Sequence, residues 1–338
     1  MALLHLSPSN PSRGGRIYNL SLVRMTAVAA ILLCHFVQYY KWESLALWLN
    51  VGVDVFLVLS GYLYGMRSFR FASHGERIRF ALRFYYKEFL KLFIPYYVML
   101  ALTMPAYFLM GKASLHQIGK ALLLVNEGLP GFFHLWFFRF LVICYFFTPF
   151  WYFIPERPWK NAFLLFVFVL LLPLSGTGIV WILCYLLGMV LARTRLFAGN
   201  CPKAKCILDL LVVATGIVLS VWCIVKNVDR SEYDLLLNTQ KLFLGGGILV
   251  TLTLLFKQEY FGPWMQKVLE VSDATSYELF LVHPLFLSGA FCVMRLAESK
   301  TIAIVLCLLC IAISTVALFW ISKRLTQLCL SPLNSKNR

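Results

Sequence analysis

Residues 17–40 read IYNLSLVRMTAVAAILLCHFVQYY, from Ile17 to Tyr40. A hydrocarbon core about 30 Å thick needs roughly 20 apolar residues in a helix. This run meets that length, and its only basic side chains are Arg24 and His35. The residues before it are polar and basic, with no cleavable signal peptide expected. The run is long enough to span a bilayer and stay there.

Nine more apolar runs follow, at roughly 46–66, 88–110, 134–154, 161–174, 177–195, 207–226, 241–256, 275–295 and 301–322. Of 338 residues, 60% are hydrophobic and 14% charged, against about 45–50% and 25% in a soluble domain. Disorder and a water-soluble enzyme are both excluded. The expected fold is all-α: a polytopic transmembrane bundle of about ten spans. It divides into an N-terminal tail (1–16), a membrane domain (17–322) and a C-terminal tail (323–338). Pro173, Gly176 and Gly178 predict a tight hairpin between the fifth and sixth runs, and residues 114–125 an interfacial helix. No internal repeat is visible.

The net charge is +16, but the charges sit in short clusters between apolar runs rather than on a face suited to nucleic acid. If the N-terminus is cytoplasmic, eighteen Lys and Arg fall on the inner side and eight on the outer. The positive-inside rule then places both termini in the cytoplasm. The ten cysteines are scattered, mostly within apolar runs, and read as small hydrophobes. Cys307 and Cys310 lack a second ligand pair, so no metal is expected.

Ionisable side chains within spans are costly and mark function. Arg24 and His35 are eleven residues apart, which puts them on one helix face roughly 16 Å apart. Asp54 on the second run is expected at the depth of His35. A carboxylate there would hold the imidazole as a general base, or tie the two helices together. Gly61 and Gly65 form a GxxxG, read as close helix packing. His134 and Trp136 open the fourth run at the outer interface, and Arg139, five residues deeper than His134, needs a buried partner or a polar cavity. Ser272, Ser276 and His283 share a face of the ninth run, beside Tyr277 and before Pro284. Arg83, Lys87 and Lys91 form one basic stripe entering the third run.

Together these residues resemble the acyltransferase-3 family of integral-membrane acyltransferases. The resemblance rests on Arg24 with His35, on the stretch from Gly52 through Asp54 to Leu63, on His134-Leu135-Trp136-Phe137, and on Ser276-Tyr277 through His283-Pro284. The family's arginine cluster before a proline is replaced here by Arg83, Lys87 and Lys91 before Pro95. The esterase-like domain fused to some relatives is not expected.

The resemblance implies transfer of an acyl group, usually acetyl, from cytosolic acyl-coenzyme A to a hydroxyl of an envelope glycan or lipid-linked sugar. The implied setting is a bacterial inner membrane. His35 and Asp54 would be catalytic. Arg24, Arg83, Lys87 and Lys91 would hold coenzyme A. His134, Trp136, Arg139, Ser276, Tyr277 and His283 would line a polar acceptor channel. A competing reading is a transporter or flippase of glycan precursors that uses the same polar stripe as a pathway.

Overall fold

The computed structural model describes residues 16–125, 128–155, 157–197, 202–226, 234–296 and 298–335. Every regular element among them is helical. In chain order they are α1 (Tyr18–Tyr39), α2 (Glu43–Leu49), α3 (Val51–Gly65), α4 (His74–Leu109), α5 (Leu115–Leu122), α6 (Trp136–Phe153), α7 (Pro158–Leu171), α8 (Val180–Phe197), α9 (Pro202–Val225), α10 (Asp234–Leu255), α11 (Pro263–Leu287) and α12 (Lys300–Ser335). Eight of the described helices, with α2 and α3 taken as one, are long and apolar enough to cross a membrane. The chain is an integral membrane protein. The other two expected spans are also helical: α8, with a shorter apolar stretch at Val180–Arg193, and α11, which carries Lys267, Glu270, Asp273 and Glu278.

Local chemistry explains where the elements depart from the hydropathy reading. α4 starts fourteen residues before the third apolar run, because the Ser73 side chain accepts a hydrogen bond from the Glu76 amide and caps the helix. The basic stripe therefore lies on a continuous 36-residue helix. α11 was expected at 275–295 and instead starts at Pro263, which suits a first helical turn because it needs no amide donor. Its charged first turns hide it from a hydropathy scan. The last helix continues past residue 322 to Ser335.

The expected hairpin is present: a 3-10 segment, Leu172–Thr177, leads to Gly178 at φ +82° and then to α8. So is the short helix α5, closed by a reciprocal capping box between Ser114 and Gln117. The carbonyls at its far end accept from the hydroxyls of Tyr96 and Tyr97 on α4.

α3 is the centre of the bundle. Its Gly61 lies directly on the Tyr185 backbone of α8, where a Cβ would collide, and Gly65 lies on Met189 and Ala192. Gly188 of α8 returns the contact against Val58. The GxxxG pattern is thus a packing device that lets two backbones approach. On its other sides α3 meets α1 through Gly52, set against Ala27 and Ile31, and α10 through Gly245, set against Asp54. α1 and α11 run side by side in the same direction. Their paired residues rise together, from Tyr18 with Glu270 to His35 with His283.

Candidate active site

One end of the α1–α11 seam is polar. The Tyr18 hydroxyl donates to Glu270 Oε1 at 2.9 Å. Asp273 accepts from Ser21 Oγ at 2.5 Å and from Arg24 Nη1 at 3.1 Å, with Arg16 Nε 3.9 Å away. Arg24 therefore has a carboxylate partner that the sequence reading passed over, although Asp273 lies between Ser272 and Ser276. Ser276 is buried and donates to the Asp273 carbonyl. It helps shape the seam rather than face a channel.

Beside this end lies α4. Arg83 and Lys87 are exposed, and neither forms an ion pair among the described residues. Lys91 Nζ is 3.1 Å from Glu88 Oε2. Glu88 is a buried carboxylate set inside the basic stripe, and a reading that counted only cations missed it. Tyr145 of α6 is within electrostatic reach of both Glu88 and Arg24. Tyr277 donates from its hydroxyl to the Leu92 carbonyl at 2.9 Å and fastens α11 to α4.

From Tyr277 a narrow pocket of about 10 Å³ runs along the seam to His283. Its walls include Val28, Ile31, Val53, Phe56, Phe137 and Phe280. Of the residues expected to line a polar channel, only Tyr277 and His283 face it. The passage is an apolar slot. Arg139 is exposed on the outward face of α6, whose neighbours Phe137, Phe138 and Leu141 turn inward. It has no buried partner because it does not point into the bundle. Trp136 packs on Trp181 of α8, ring centroids 4.1 Å apart.

Three imidazoles gather at the far end of the slot. The rings of His35 and His283 are 5.1 Å apart, and those of His283 and His134 are 5.4 Å apart. His35 Nδ1 is 2.7 Å from Gln38 Oε1. An amide oxygen only accepts, so Nδ1 carries the proton and Nε2 keeps its lone pair. The same logic holds for His283, whose Nδ1 donates to the Leu279 carbonyl at 3.0 Å. Its Nε2 has no partner, and the side chain is 2% exposed. His134 sits in a 3-10 turn (Phe133–Leu135) rather than at an open mouth, 4% exposed, and neither of its ring nitrogens makes a well-formed hydrogen bond, the Phe280 and Leu281 backbone being in weak contact only.

Asp54 is absent from this cluster, contrary to the expected pairing with His35. Gly52 faces α1, and two residues further on the helix has turned about 200°. Asp54 consequently points toward α8 and α10, where Cys184 Sγ donates to it at 3.6 Å and Lys241 supplies a nearby positive charge. The depth also differs, since Gly52 is level with Ala27–Ile31, inward of His35.

Among the described residues no group of side chains is arranged to hold a metal ion. A membrane helix bundle with an apolar slot ending on imidazoles that offer lone pairs is the frame of an integral-membrane group-transfer enzyme. The chain belongs to the acyltransferase-3 family, whose acyltransferase domain matches residues 17–322, and it is a membrane acyltransferase. Comparison with curated proteins and with solved structures finds no match.

Proposed function

We propose that the protein moves an acyl group, acetyl in the first instance, from cytosolic acyl-coenzyme A to a hydroxyl of an envelope glycan or lipid-linked sugar. Its setting is the bacterial inner membrane, with both termini in the cytoplasm. The observation that carries this reading is the apolar slot between a cationic end and an imidazole end. Coenzyme A is a polyanion with a long, uncharged arm. Arg24, Arg83, Lys87 and Lys91 offer its phosphates charge-assisted hydrogen bonds, and the slot marks the path along which the arm and thioester reach the imidazoles.

His35 is the general base. Gln38 holds its Nδ1 proton, so Nε2 takes the proton of the acceptor hydroxyl. The hydroxyl oxygen bonds to the acyl carbon, the carbon–sulfur bond breaks, and coenzyme A leaves as a thiolate that is reprotonated. His283 and Tyr277 border the slot through which the thioester arrives, and Trp136 flanks the acceptor side.

The test is thiol release from acetyl-coenzyme A by membranes containing the protein, together with acetyl analysis of the envelope polysaccharide. Both should appear with the wild type. Loss of a general base costs about 10²–10⁴-fold in rate, so His35→Ala should remove both at normal membrane abundance. Glycan movement without any thioester consumption would identify a transporter instead.

A further inference from the structure

The three imidazoles differ in what they have left to give. His35 and His283 have each committed their only N–H, to Gln38 and to the Leu279 carbonyl. Both therefore present acceptors, and neither can donate while uncharged. Acyl transfer also needs a donor, because the carbonyl oxygen gains negative charge as the carbon becomes tetrahedral.

His134 is the remaining imidazole of the cluster. An uncharged imidazole carries one N–H whichever tautomer it adopts, and at His134 that N–H makes no well-formed hydrogen bond, only weak contacts toward the Phe280 and Leu281 backbone. The ring is packed edge-on against Phe280 at 4.9 Å and beside His283. A buried polar group left without a good partner is costly, which calls for a ligand that repays it during the reaction.

We propose that His134 is the oxyanion donor of this acyltransferase: its ring N–H hydrogen-bonds the acyl carbonyl oxygen while His35 removes the acceptor proton. This rests on the acyl-coenzyme A reading above. No bond to His134 forms or breaks. The acyl oxygen gains charge as the acceptor oxygen attacks and loses it as the thiolate departs, and the His134 proton stays on its ring. A neutral imidazole serving as an electrophile has precedent in enzyme chemistry.

The experiment uses membrane vesicles containing the full chain and its native acceptor, with acetyl-coenzyme A as the donor probe. His134→Phe keeps an aromatic ring but removes the N–H, whereas His134→Gln restores an N–H donor. Removing one such donor typically costs about 10²–10³-fold in kcat. The expected result is a loss of that size in His134→Phe with acetyl-coenzyme A KM unchanged, and at least a tenfold recovery in His134→Gln.

Wild-type kcat in His134→Phe would overturn the proposal. So would equal loss in both variants at wild-type coenzyme A binding, since a donor role requires the Gln variant to recover. Should His134→Phe not accumulate in the membrane, His134→Leu takes its place in the same comparison. A wild-type chain that consumes no acetyl-coenzyme A would defeat the donor reading itself, and the assignment of His134 with it.

Discussion

Gln38 Oε1 lies 2.7 Å from His35 Nδ1, one helical turn further along α1, so the base and the group that orients it come from the same helix. No second element has to move for the imidazole to keep its tautomer. Gln38→Leu should therefore lower kcat roughly fivefold, because the ring loses a net hydrogen-bond contribution of about 1 kcal/mol that fixes its orientation. Gln38→Glu should keep or raise kcat, since a carboxylate accepts the same proton. Thiol-release kinetics on the two variants decide the matter. Equal activity in both would remove Gln38 from the mechanism.

Asp54 should behave as a structural residue. It is 3% exposed, and its neighbours are Cys184 and Lys241. Lys241 acts on Asp54 through its charge, so removing one of two opposite buried charges should destabilise, while replacing both can be nearly neutral. Asp54→Asn should lower thermal stability and membrane abundance more than kcat per folded molecule. Asp54→Asn with Lys241→Met should recover most of the loss. A double-mutant cycle read by thermal melting in detergent measures the coupling.

Asp273 positions Arg24, so its loss should be felt in donor affinity. Asp273→Asn retains an acceptor for Ser21 but removes the charge opposite the guanidinium, 3.1 Å away. The expected outcome is an acetyl-coenzyme A KM raised about tenfold with acceptor KM unchanged. A change confined to kcat would place Arg24 outside the donor site.

Orientation is open to a direct check. Reporter fusions after residues 75 and 120 should read inside and outside, respectively. A fusion at 75 that reads outside would invert the bundle and move the donor site to the wrong face.

The all-helical bundle, eight of its spans and the hairpin at Gly178 were legible in the sequence because hydropathy and glycine or proline punctuation report them directly. The beginning of α11 was not, because Lys267, Glu270 and Asp273 suppress its hydropathy, and the partners of Glu270 and Asp273 lie on α1. Among the site residues, His35, His134 and His283 stood out as intramembrane imidazoles, and the structure gathers them. The Asp54 pairing failed for a geometric reason: depth estimated along straight helices ignored the break at Asn50 and the rotation set by Gly52. Glu88 and Gln38 were overlooked because each sits beside more conspicuous charge or aromatic neighbours. Their meaning depends on distances that a linear chain does not carry.

The seam between α1 and α11 also bears on how the protein is made. Ser21 and Asp273 are 252 residues apart in sequence and share a hydrogen bond. At about 5–20 residues per second, the first helix waits on the order of tens of seconds for that carboxylate to be synthesised. During this interval Arg24 lies in or beside lipid without its counter-ion. The nascent chain has to be sheltered by the insertion machinery or by water at the membrane surface until α11 arrives. Biogenesis of this enzyme thus ends with the pairing of its first span and nearly its last, and a ribosome stalled before Pro263 would leave behind a helix with strong reason to be recognised and degraded.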